Sequence, residues 1–145
     1  MLKVGRVEGP IPTSPDDPAW EQAALLDVPL AGQIILEPRW FKPAHDIVTA
    51  RAMYNDDELA VFLEWDDGTG NTGANGKPAD QVALQWPLEE AAWLAGEKPY
   101  FILGNRGHDV DYWWRASTGL ERVRAFGHDR TETVPAGTVQ AEGLL

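Results

Sequence analysis

Apolar residues recur at every second position along much of this chain, the period of a half-buried β-strand. Leu59, Val61, Leu63 and Trp65 share one face, and Val82, Leu84 and Trp86 repeat the pattern. Pro87 ends that second run, because proline has no N–H to give to a ladder. Val110, Tyr112 and Trp114 fall on one face while Asp111, Trp113 and Arg115 fall on the other. Residues 47–54 lead into Asn55-Asp56-Asp57-Glu58, a turn-forming polar cluster, so 47–54 and 59–65 are expected to form a β-hairpin with one face in the core. Further strands are expected at 2–7, 30–36, 122–126 and 139–143, and a surface loop at 68–77. A single helical turn is expected at 17–24, where Asp17 can cap and Pro18 suits the first turn. Short strands separated by turn signals predict an all-β fold, an antiparallel β-sandwich with short helical turns in its loops.

The length of 145 residues suits a single domain spanning 1–145. The last segment, 139–145, reads as a strand with no partner after it, so the domain is expected to lack its C-terminal strands. Twelve basic against 23 acidic residues give a net charge of −11, which disfavours nucleic acid and anionic lipid surfaces as partners. The absence of cysteine removes disulfides, thiolate metal sites, iron–sulfur clusters and covalent haem attachment. No signal peptide is visible at the start, and no stretch approaches the ~18 apolar residues of a membrane span. Neither a phosphate-binding Gly-Lys-Ser/Thr loop nor a Gly-x-Ser-x-Gly elbow occurs, and Ser14 and Ser117, the only serines, lie in no recognisable context. The chain is therefore not expected to catalyse a reaction by itself.

An ordered set of short motifs carries a resemblance. It comprises Asp17-Pro18-Ala19-Trp20, Gln33 with Pro38-Arg39, and Ala52-Met53-Tyr54-Asn55. Leu63-Glu64-Trp65-Asp66-Asp67, Asp80-Gln81-Val82-Ala83-Leu84-Gln85-Trp86-Pro87 and Tyr112-Trp113-Trp114-Arg115-Ala116 complete it. In this order the motifs resemble the haem b-binding γ-subunits of type II enzymes in the dimethylsulfoxide reductase family, such as ethylbenzene dehydrogenase, dimethylsulfide dehydrogenase and chlorate reductase. The resemblance implies a β-sandwich that holds one non-covalent haem b and passes electrons. It also implies partner subunits, a molybdenum and iron–sulfur enzyme or a cytochrome, and a periplasmic location.

In that family a methionine and a lysine bind the iron. The methionine precedes a glycine in a segment like Pro99-Tyr100-Phe101-Ile102-Leu103-Gly104, so Phe101, Leu103 and Gly104 match the ligand segment with leucine in place of methionine. The lysine falls beyond the matching residues. His108 and Met53 are the remaining axial candidates, since imidazole and thioether both bind iron. Each also has a plainer reading, His108 as a solvated loop residue and Met53 as core packing. Asp66, Asp67, Asn71, Asn75 and Asp80 could supply oxygens to Ca²⁺, or serve as polar loop residues and strand-end caps. Seven tryptophans keep two alternatives open: a carbohydrate-binding sandwich with Trp113 or Trp114 as stacking platform, and a haem-less structural subunit.

Overall fold

The computed structural model describes residues 1–35, 37–73, 79–88, 96 and 108–116, together with the backbone of 119–125 and 131–133. Its strands are β1 (Gly5–Arg6), β2 (Leu26–Pro29), β3 (Ile47–Tyr54) and β4 (Leu59–Glu64), then β5 (Gln81–Pro87), β6 (Val110–Ala116), β7 (Gly119–Ala125) and β8 (Thr131–Thr133). They form two four-stranded sheets in which all pairs are antiparallel except β1 with β3. The chain is all-β, as its alternation predicts. Contacts gather into two compact units, Met1–Thr69 and Gly70–Leu145, with one sheet in each.

In the first unit β3 is the central strand. β4 pairs with it from Thr49↔Glu64 to Tyr54↔Leu59. β2 pairs with its first half and β1 with its last two residues, so β2 and β1 lie end to end on the edge opposite β4. The hairpin turn is built by Asn55, whose side-chain oxygen accepts from the backbone N–H of Asp57 and Glu58 at 2.9 and 2.7 Å. This is the local bonding that makes asparagine a turn residue.

The 3-10 turn Pro18–Gln22 occupies the expected place, and the Asp17 carboxylate accepts from Ala19 N–H at 2.9 Å. The turn directs Trp20 onto the sheet, where the indole is 6% exposed and stacks on Phe62 with centroids 5.4 Å apart. Ile11, Trp20, Ala23 and Met53 form the core, flanked by Val7, Ala60 and Phe62. This core rests on the Ala60/Phe62 face of β4, opposite the face of Leu59, Val61 and Leu63 that the alternation marks as inward. Both faces of β3 are nonetheless covered, since Ala52 on one and Met53 on the other are 1% and 2% exposed.

Three expected strands take other bounds. Residues 30–35 do not form one, and residue 36 lies outside the described residues; the strand lies earlier, at Leu26–Pro29, where Leu26 and Val28 turn inward and Asp27 and Pro29 outward. After it the chain folds back on itself, because Gln33 bonds within its own loop rather than to a ladder. The expected strand at 2–7 is confined to Gly5–Arg6, and the one at 122–126 begins earlier and spans Gly119–Ala125. Residues 139–143 lie outside the described residues.

The second sheet has the order β5-β6-β7-β8, antiparallel throughout. Before it, Thr72 and Ala79 form a bridge, and Asp80 accepts from Asn71 N–H at 2.7 Å; residues 74–77 of the expected loop lie outside the described residues.

Candidate functional site

Opposed residues in an antiparallel pair share a face, so the register of β5 and β6 sorts the tryptophans. Val82, Leu84 and Trp86 stand opposite Arg115, Trp113 and Asp111 on one face. Gln81, Ala83 and Gln85 stand opposite Ala116, Trp114 and Tyr112 on the other. The two-faced reading of β6 from its alternation is therefore correct.

On the first face the rings of Trp86 and Trp113 meet at 5.6 Å between centroids, tilted by 58°. Trp113 Nε1–H donates to the Asp111 carboxylate at 3.0 Å, and Asp111 is 8% exposed. Trp86 Nε1–H is also buried, with no acceptor among the described residues. A buried donor without a partner costs about 1–3 kcal/mol, so this face holds an unmet hydrogen bond. On the second face Trp114 Nε1–H donates to Gln81 Oε1 at 3.0 Å. Trp114, Gln81, Tyr112, Ala83 and Val82 line an open groove of about 270 Å³. Trp113 and Trp114 are both half-buried, so neither is a fully displayed platform.

The candidate iron ligands belong to different units. Met53 is sealed among Ile11, Trp20 and Ala23 in the first unit, as core packing would have it. His108 is half-buried and lies two residues before β6 in the second unit. Phe101, Leu103 and Gly104 lie outside the described residues. Tyr112 is a further oxygen donor close to His108 in sequence, and burial pushes its phenol above the ordinary value. Met53 and His108 thus lie in different units. Neither unit holds both candidates, so within one unit these two do not by themselves make up an axial pair.

The oxygen-rich loop is engaged internally. Asp67 accepts from both the backbone N–H and the hydroxyl of Thr69 at 2.8 Å, and these bonds hold its carboxyl below the ordinary value. His45 Nε2 lies 3.7 Å from the same carboxylate. Asp80 is taken up by Asn71, and Asn75 lies outside the described residues. Among the described residues no group of three or more His, Asp or Glu is placed to hold a metal ion.

Alternation could not mark the most exposed aromatic residues among those described. Trp40 and Phe41 are 66% and 76% exposed, and they sit in the loop between β2 and β3 rather than on a strand. The signal that could have found them is Arg39-Trp40-Phe41-Lys42, two rings flanked by cations in an acidic chain.

The chain belongs to the ethylbenzene dehydrogenase family, whose model matches residues 17–133. It is also similar to a Haloferax mediterranei protein provisionally named respiratory nitrate reductase heme subunit ORF7, with 25% identity over 134 residues. That match takes in 90% of this chain and 47% of the relative, so the chain spans about half the length of the curated relative it matches. No solved structure matches the chain significantly.

Proposed function

We propose that the chain is the β-sheet scaffold of a haem-carrying electron-transfer subunit of an oxidoreductase complex. The observation that carries this reading is family membership across residues 17–133, joined by the heme-subunit name of the Haloferax relative. The haem is of the b type, held without covalent bonds, in keeping with a chain that has no cysteine. Its partners are a molybdenum and iron–sulfur enzyme or a cytochrome, and its location is periplasmic; both are drawn from the motif resemblance. In such a subunit the haem supplies one-electron transfer. The protein's part is to bury the group, orient it and answer its polar atoms. His108 is the described side chain best suited to approach iron, and Trp86 Nε1–H is a buried donor available to an acceptor.

The test is reconstitution of the purified chain with haem, followed by absorption spectroscopy before and after reduction. A shifted Soret band and a sharp α-band on reduction are the expected result, with His108→Ala weakening both. Their absence overturns haem binding by this chain. A second reading is favoured by the Trp114–Gln81 groove, where an indole beside an amide could stack on and hydrogen-bond a sugar. Quenching of tryptophan fluorescence by glycans, lost in Trp114→Ala, would select it.

A further inference from the structure

The loop between β2 and β3 is a shaped projection that spends its apolar residues on solvent. Its base is closed by the Pro29↔Ile47 pair and by Leu30 N–H donating to Asp46 C=O at 2.8 Å. Gln33 then organises the tip. Its backbone carbonyl accepts from Trp40 N–H at 2.6 Å, its side-chain oxygen from Ile35 N–H at 2.7 Å, and its side-chain N–H donates to Pro38 C=O at 3.3 Å. Gly32 lets the two limbs touch, since a Cβ there would overlap the Trp40 carbonyl oxygen and the Phe41 backbone. The tip displays Ile34 at 56%, Trp40 at 66% and Phe41 at 76% exposure. Internal bonding that holds large apolar side chains outward is what a preorganised binding element requires.

Charge identifies the occupant. Arg39 and Lys42 flank the two rings, on a chain whose net charge is −11. Arg39 is partly answered by Glu37 at 3.1 Å. The tip is thus a local cationic and aromatic feature on an acidic body. Such a body is repelled by anionic lipid, and two cations fall short of the cluster of about four or more that holds a protein to such a surface. An acidic-rimmed protein cleft instead attracts the tip while the acidic body holds other orientations away. We infer that this loop is the docking element of the chain, inserting Trp40 and Phe41 into an apolar cleft edged with carboxylates on a partner protein. The inference rests on the subunit reading above for the existence of that partner. Tryptophan and arginine are the residues that most often dominate such contacts.

The experiment replaces Phe41 with p-benzoylphenylalanine in the full chain, in its native cells, and identifies photo-crosslinked peptides by mass spectrometry. Crosslinks to one other protein, at a peptide carrying apolar residues together with Asp or Glu, are expected. Crosslinks to this chain, to a second copy of it or to lipid overturn the inference, as does the absence of any. With the crosslinked partner purified, Trp40→Ala is expected to weaken binding by about 30-fold or more in calorimetry, the range of an interface hot spot, while the thermal midpoint of the isolated chain stays unchanged. A lowered midpoint would assign Trp40 to the chain's own core and overturn docking. Lys42→Glu is expected to slow association and Lys42→Arg to preserve it. The haem absorbance of the same complex separates the two readings. Trp40-dependent binding without haem removes only the electron-transfer role, whereas haem retained in a complex indifferent to Trp40 removes only the docking loop.

Discussion

Met53 shows how one residue type serves two opposed readings. A thioether can bind iron, and it can fill an apolar gap beside aromatic rings. The surroundings at 2% exposure are those of packing, with Ile11, Trp20 and Ala23 around it. Met53→Leu conserves volume and is expected to cost less than about 1.5 kcal/mol, whereas Met53→Ala leaves a cavity and costs about 2–5 kcal/mol. Denaturant unfolding checks both values, and a haem spectrum unchanged in Met53→Leu would exclude the sulfur as an iron ligand. Asp67 supports a pH prediction. Bonds from Thr69 favour its charged form, so its folded pKa lies below the ordinary value of about 3.9. The stability it adds is complete above that ordinary value and is lost as pH falls through the lower, folded one. Thr69→Val removes the hydroxyl and leaves the backbone donor. The Asp67 carboxyl resonance should then titrate at higher pH, still below the ordinary value; an unmoved midpoint would show that the hydroxyl contributes nothing.

At the level of elements, the turn Pro18–Gln22 links a cap to the core. Asp17→Ala removes the acceptor for Ala19 N–H and is expected to cost about 1 kcal/mol, a typical cap value. Trp20 fluorescence should shift to longer wavelength if the turn frays, because its Nε1–H is held to Ser14 C=O at 3.1 Å by the same local fold. Unchanged emission and stability would mean that the Trp20–Phe62 stack holds the turn unaided. This element was legible in the sequence because Asp-Pro states its chemistry within two residues. The strands β4, β5 and β6 were legible for a similar reason, since period-two alternation marks a strand directly, and β3 was legible from the turn cluster that follows it. The loop after β2 was not. Its shape comes from the side chain of Gln33 and the close approach at Gly32, neither of which leaves a periodic trace, and its Ile34-Ile35 pair imitates a strand. Both faces of β4 carry apolar residues and both are covered: Trp20 stacks on Phe62 on one, and Ala50 and Ala52, opposite Leu63 and Val61, are buried on the other.

For the whole molecule, lineage and cofactor chemistry have to be weighed separately. The family match extends over residues 17–133, while the two axial candidates that are described are a half-buried imidazole in one unit and an enclosed thioether in the other. The motif resemblance puts leucine at position 103, where the family carries methionine. Folding tolerates that exchange, since the two side chains have nearly the same volume, but leucine has no lone pair to give to iron. Leu103→Met therefore tests the resemblance itself rather than the stability of the fold. Unfolding free energy should change by less than about 1.5 kcal/mol. If position 103 faces the haem as the resemblance implies, haem affinity should rise by about tenfold or more, equivalent to about 1.4 kcal/mol, and the reduced spectrum should gain the narrow α-band of a thioether-ligated iron. The same variant combined with His108→Ala shows whether imidazole and thioether act on one iron. Two substitutions whose effects on affinity depend on each other share a site, and additive effects would place them apart. A Leu103→Met protein with unchanged affinity and spectrum would mean that the family's ligand segment has lost its role here, leaving the chain as scaffold and docking surface.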